Sequence, residues 1–268
     1  MLKKRLIFTL LFSDGYFVLS RNFRLQKVGN IDWLQRNYNF SKVAFNIDEL
    51  VVLDVTREHR DVDAFCNALK KVSAGCFAPI SAGGGITSVD CARRLLRAGA
   101  DKVVLNSALW EHPRLVRAIT EEFGRQCVVG SVDVQSSEGS GFSILTRNGT
   151  HILEMPATEA LNSGICDQVG EIYLNSIDRD GTGQGYDLNT LDLLPRCCRL
   201  PVILAGGVGN ATHFAEGLAD ERVDAVATAH LFNFVGDGLY KARQALLKSG
   251  AELANWPDRN TIKTTGQN

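Results

Sequence analysis

The chain has 268 residues, 45% hydrophobic and 22% charged, with a formal net charge of −1. That is enough apolar sequence for one large core, and a charge balance that gives a polyanion no footing, so nucleic-acid binding is set aside. The opening apolar run, 6–12, is too short to span a membrane and no cleavage-site pattern follows it, which points to a cytoplasmic protein with no membrane partner.

In chain order, β-rich runs at 5–11, 49–54, 77–82, 102–106, 126–133, 171–176, 201–205 and 224–228 predict strands. Helical stretches follow them near 30–41, 60–74, 87–98, 112–124, 156–165, 187–195, 210–219 and 233–249. The run 142–152 alternates around Asn148-Gly149 and predicts a hairpin with a tight turn. Strand then helix, repeated through about 250 residues, is the pattern of an α/β (βα)8 TIM barrel. A doubly wound open sheet is the alternative. The expected organisation is one barrel over 1–250, with half-barrels of about 1–122 and 123–250, and a polar tail over 251–268 that is disordered from Trp256 on.

The halves echo each other. Ala82-Gly83-Gly84-Gly85-Ile86 answers Ala205-Gly206-Gly207-Val208-Gly209, and Asp101 answers Asp224 in the same register. Glycines directly after a buried strand let backbone N–H groups approach an anion, and the following helix adds its positive end. Two such turns imply a ligand with two phosphates. The cysteines show no Cys-x-x-Cys spacing for zinc or redox work and read as buried small hydrophobes, so neither metal nor cofactor is expected.

A barrel of this kind keeps its chemistry at the C-terminal ends of its strands. Those ends carry Leu11, Asp54, Gly83 to Gly85, Asn106, Asp133, Gly206-Gly207 and Ala229-His230, with the polar loop from Ser176 to Gly185. Asp133 closes an otherwise buried strand, where an acid is costly unless paired or used; it is the candidate general acid or base. Asp54 is a second acid or a support. The Ser176–Gly185 loop is glycine-rich and suits a phosphate, or is a solvated turn.

The motifs Ile177-Asp178-Arg179-Asp180-Gly181-Thr182 with Gly185-Tyr186-Asp187, Gly83-Gly84-Gly85-Ile86 and Ala98-Gly99-Ala100-Asp101-Lys102-Val103 resemble the cyclase subunit of imidazole glycerol phosphate synthase, from Met1 to about Leu247. The resemblance implies that Gly85, Asn106 and Ser107 hold one phosphate of a bis-phosphorylated ribotide, and Asp180, Gly181, Gly207, Ala229 and His230 the other. It places Asp133 on one of two catalytic aspartates. It also implies that Arg5, Glu49, Lys102 and Glu171 gate ammonia at the opposite end, and that Asp101 faces a glutaminase subunit in a heterodimer. A salt-bridged plug is the bland reading of those four charges.

This sequence departs from that pattern in three places. Leu11 stands where the second catalytic aspartate is expected, Leu19 replaces a lysine of the loop that closes over substrate, and His230 takes the place of a serine. Leucine cannot transfer a proton, and a general acid or base is typically worth about 10²–10⁴ in rate. A damaged cyclase centre above a kept ammonia entrance resembles the barrels associated with bacterial surface-polysaccharide (lipopolysaccharide) synthesis, which implies ammonia delivery to a sugar amidotransferase. The alternatives are an active cyclase of histidine biosynthesis that uses Asp14 or Asp54, and a non-catalytic scaffold that binds a phosphoribotide.

Overall fold

The computed structural model describes residues 3–37, 43, 45–137, 139, 141–230 and 237–254. Its elements run β1 (Arg5–Ser13), β2 (Tyr16–Arg21), β3 (Arg24–Gly29), α1 (Ile31–Asn37), β4 (Glu49–Asp54), α2 (Val62–Ser73), β5 (Ile80–Gly83), α3 (Val89–Arg97), β6 (Lys102–Leu105), α4 (Ser107–Glu111), α5 (Pro113–Phe123) and β7 (Val128–Ser137). They continue through β8 (Gly141–Thr146), β9 (His151–Ile152), α6 (Ala157–Asn162), α7 (Ile165–Gln168), β10 (Glu171–Ser176), β11 (Val202–Ala205), α8 (Ala211–Ala219), β12 (Ala225–Thr228) and α9 (Gly238–Lys248).

Eight of these strands form a closed parallel barrel, β1-β4-β5-β6-β7-β10-β11-β12, sealed where Arg5 to Phe8 pair with Ala225 to Thr228. Closure rules out the open sheet. The strands read as near-continuous apolar runs because both faces are buried. In β1 the period of two sends Leu6, Phe8, Leu10 and Phe12 outward against the helices. Ile7 instead joins Val51, Val104, Val129, Tyr173 and Ile203 in a separate apolar cluster inside the barrel.

Local signals set the helices. Asp61, Ser88 and Asn210 accept backbone N–H groups at the starts of α2, α3 and α8. Lys70 and Lys71 close the last turn of α2, where cations oppose the negative helix end. The repeat is real at this level, but one residue out of the register read from sequence. Ser88 corresponds to Asn210, so Gly84 corresponds to Gly206 and Gly85 to Gly207. After the capped helices the halves realign. The Asp101 carboxylate accepts from Ile80 N at 2.8 Å and the Asp224 carboxylate from Val202 N at 2.9 Å. Asp101 therefore has a structural task at the barrel floor, although it remains exposed.

Several expectations need correction. The strand expected at 77–82 begins at Ile80, leaving Phe77 on the surface, and the strand expected at 126–133 runs on to Ser137. The stretch 187–195 forms a 3-10 turn over Leu188–Leu193, and the helices expected near 30–41 and 233–249 extend into residues outside the described ones. The hairpin at 142–152 is present, but its turn uses Arg147, Asn148 and Gly149 at φ of 52°, 58° and 75°, and β8 also extends β7 antiparallel. The hairpin β2–β3 was not expected. Asp14-Gly15, at φ of 50° and 82°, makes the two-residue turn that folds β2 back on β1, and Asn22-Phe23, at φ of 49° and 61°, makes the turn between β2 and β3.

Residues 251–254 pack back onto β1, where Lys4 N donates to Glu252 O at 2.9 Å and Leu253 is buried. The tail from 255 lies outside the described residues. Cys66 and Cys91 are buried as expected, whereas Cys197 is exposed. Cys166 and Cys198 meet with sulfurs 2.8 Å apart, a proximity that no local spacing announces. Among the described residues no helix is long and apolar enough to cross a membrane.

Candidate functional site

The C-terminal strand ends open into two adjoining cavities, of about 530 and 310 Å³. The larger is lined by Leu11, Asp54, Gly85, Asn106, Ser107 and Asp133. The smaller is lined by Asp180, Gly181, Gly207, Ala229 and His230. The candidate residues thus fall into two groups, the larger cavity drawing on the first half of the chain plus Asp133 and the smaller on the second half, and Asp180, Ala229, Ser20, Tyr173 and Asn175 border both cavities.

Asp133 points inward from β7 into the larger cavity. Burial pushes its carboxyl up to about 7, and Asp180 adds to the rise, while hydrogen bonds from Asn175 and Asn106 oppose it. Asn175 Nδ2 donates to one oxygen at 2.9 Å and Asn106 Nδ2 to the other at 3.0 Å. The group is held in fixed orientation and is poised to exchange a proton near neutrality. Asn106 also donates to Ser131 O at 3.0 Å. Its side-chain amide is therefore committed to orienting the acid, a role the sequence did not suggest. Leu11 lines the same cavity and is nearly buried, so β1 presents an apolar wall there. Asp54 is also pushed upward by burial, against hydrogen bonds from Thr56 and the attraction of Arg60.

The glycine turns owe their composition first to packing. A Cβ at Gly84, at φ of +109°, would meet Asp54 O at 2.0 Å, and one at Gly206, at +89°, would meet Ser176 O at 2.5 Å. Gly207 is crowded by Gly185 O, and Gly209 N donates to His213 Nδ1 at 3.1 Å. The second turn consequently offers fewer open donors than its glycines suggest. Ser107 starts α4, and its hydroxyl accepts from Arg147 N at 2.9 Å. Burial holds His230 below the usual imidazole range, which favours the neutral ring.

Asp180 is engaged by the β2–β3 hairpin. Ser20 Oγ donates to its Oδ2 at 2.5 Å and Phe23 N at 3.1 Å, while Asn22 N reaches Asp180 O at 2.9 Å. A Cβ on Gly181 would strike Ser20 O at 2.1 Å. The hairpin therefore lies folded across the rim, and Asp180 with Gly181 acts as its seat. Leu19, one strand residue from Ser20, borders the smaller cavity.

At the opposite end the four charges form a closed ring. Arg5 Nη1 lies 3.0 Å from Glu49 and its Nη2 pairs with Glu171, while Lys102 Nζ lies 3.0 Å from each of the same carboxylates. Ser81 Oγ donates to Glu49 at 2.5 Å. Burial works against the Lys102 ammonium, but Glu49 and Glu171 outweigh it and raise its pKa. Between this ring and Asp133, the Thr9 hydroxyl and Tyr173 OH meet at 3.0 Å inside the barrel and both line the larger cavity. Sequence reading missed this pair. Its signal was parity, since Thr9 follows Arg5 and Ile7 on the inward face of β1.

Comparison with known proteins agrees with this architecture. The family model described as histidine biosynthesis protein matches residues 27–236. The chain is 45% identical over 258 residues, covering 96% of each sequence, to a Parasynechococcus marenigrum (strain WH8102) protein named "Putative imidazole glycerol phosphate synthase subunit hisF2". It is 38% identical over 254 residues, 94% of this chain and 99% of the relative, to the imidazole glycerol phosphate synthase subunit HisF of Hyphomonas neptunium (strain ATCC 15444).

Proposed function

The chain belongs to the histidine biosynthesis protein family, within the HisF-type subunits of imidazole glycerol phosphate synthase, and on that footing we propose that it is an ammonia-accepting barrel whose own cyclisation chemistry is diminished. Ammonia from a glutaminase subunit enters at the Arg5–Glu49–Lys102–Glu171 ring, rises past Thr9 and Tyr173 and reaches a phosphorylated ligand held between the two glycine turns. Asp133 transfers the proton there. The observation that carries this reading is Leu11, an apolar side chain in the cavity that holds Asp133. Ring closure with ammonia needs one group to protonate a leaving oxygen and another to deprotonate nitrogen, and two carboxyls with separated pKa values divide that work. With Leu11 in place only one is present on those two strands.

The finer proposal is that ammonia is passed on for amidation of a bacterial surface sugar by a separate amidotransferase. Leu11 favours it, because an intact charge ring has a use even where cyclisation is slow. The test is turnover of a bis-phosphorylated ribotide with ammonium salts by the wild type and Leu11→Asp. A gain of about 10² or more in the variant is expected. Wild-type turnover that Leu11→Asp leaves unchanged overturns the reading, and makes the chain a working cyclase that uses another acid.

A further inference from the structure

Arginines crowd the wall of the larger cavity, and all but one are already occupied. Arg147 is spent on Glu111, with Nε at 3.0 Å, and Arg57 Nη2 donates to Phe23 O at 2.5 Å. Arg60 differs. Among the described residues it forms no salt bridge, and its Nε is buried without a hydrogen-bond partner. Its guanidinium lies over the first glycine turn, where a Cβ built on Gly85 would be 2.5 Å from Arg60 Cδ and 3.0 Å from Nη1. Gly85, at φ of +63°, thus leaves room for Arg60 to pass across it.

The position of Arg60 is set by a neighbour. Asn148 sits in the β8–β9 turn at φ of 58°, its Nδ2 donating to Thr56 O at 3.2 Å, and its Oδ1 accepts from Arg60 Nη2 at 3.3 Å. A buried donor without an acceptor is costly, and persists where a ligand completes it. A planar guanidinium offers paired donors matched to the oxygens of a phosphate.

We propose that Arg60, aimed by Asn148, is the cationic ligand for the phosphate group seated at the Gly84–Gly85 turn. At the second turn Arg21 and Arg24 lie on the cavity wall, and among the described residues the atoms nearest a Cβ on Gly207 are Gly185 O and Arg179 Cβ rather than a guanidinium, so Arg60 makes the two ends unequal and fixes the orientation of an asymmetric ligand. This rests on the two-phosphate reading above.

The test titrates inorganic phosphate into the full chain and follows the backbone amides of Gly85 and Gly207 by NMR. Arg60→Gln is expected to weaken the Gly85 response by about tenfold to a hundredfold and to leave Gly207 unchanged. Arg60→Lys and Asn148→Ala are expected to give intermediate losses at Gly85 alone, and they decide the matter if Arg60→Gln unfolds. An unchanged Gly85 titration in these variants overturns the role of Arg60 while leaving the two-phosphate reading standing. No response at either amide in the wild type overturns both.

Discussion

Replacing Asp133 with asparagine tests the electrostatics of the site without any knowledge of the substrate. In the folded chain burial holds this carboxyl up at about 7, against an ordinary value of 3.8. Between about pH 4 and 7 the native state therefore keeps a proton that the unfolded chain has released. Stability contributed by the neutral acid is present at low pH and is lost as pH rises through that interval, at up to about 1.4 kcal/mol per pH unit. Across the interval the limit is about 4 kcal/mol, reduced to the extent that cavity water reaches the ion. Asparagine carries no such charge. It still faces Asn106 and Asn175, whose amides donate to the two oxygens, so one donor meets an NH₂ group and about 1–3 kcal/mol is lost at every pH. Urea denaturation at pH 4.5, 6 and 8 is expected to find the variant the less stable protein in acid, gaining on the wild type by about 2–3 kcal/mol as pH rises. Parallel curves for the two proteins, separated by a constant difference, would refute the argument that Asp133 is proton-bearing in the native state.

Two further perturbations address other parts of the barrel. Arg5→Ala leaves Glu49 and Glu171 buried with Lys102 as their remaining cation, and a loss of about 3–5 kcal/mol in urea denaturation is expected; a loss under about 1 kcal/mol would mean that water solvates the ring. Asp180→Ala removes the acceptor of Ser20 Oγ and Phe23 N, so amide exchange of Phe23 should accelerate at least about tenfold while that of the β4 amides does not. Unaltered Phe23 protection would show that the hairpin is held elsewhere.

Much of the architecture was legible in the chain itself. Eight apolar runs separated by capped helical stretches demand a sheet buried on both faces, and the echo between Gly83 to Gly85 and Gly206-Gly207 marks two related halves. Asp133 was legible for a simple reason: an acid at the end of a buried strand is costly, and so conspicuous. The β2–β3 hairpin is hard to read from sequence because its strands are only partly buried and show weak alternation, and its turn, Asn22-Phe23, lacks the glycine that marks the Asp14-Gly15 turn before it.

What the sequence alone determined was the period, the punctuation and the residue types at each strand end, because these follow from interactions within a few residues. Only the tertiary structure decided what those residues do. Asn106 belongs to Asp133, Asp180 seats a hairpin from the other half of the chain, and Arg60 is aimed by Asn148 from a distant turn. Arg5, Glu49, Lys102 and Glu171 become one ring only when the barrel closes. The physical reason is common to all of them. Hydrogen bonds and ion pairs act over a few ångströms, and closing the strands into a cylinder brings groups far apart in the chain within that reach.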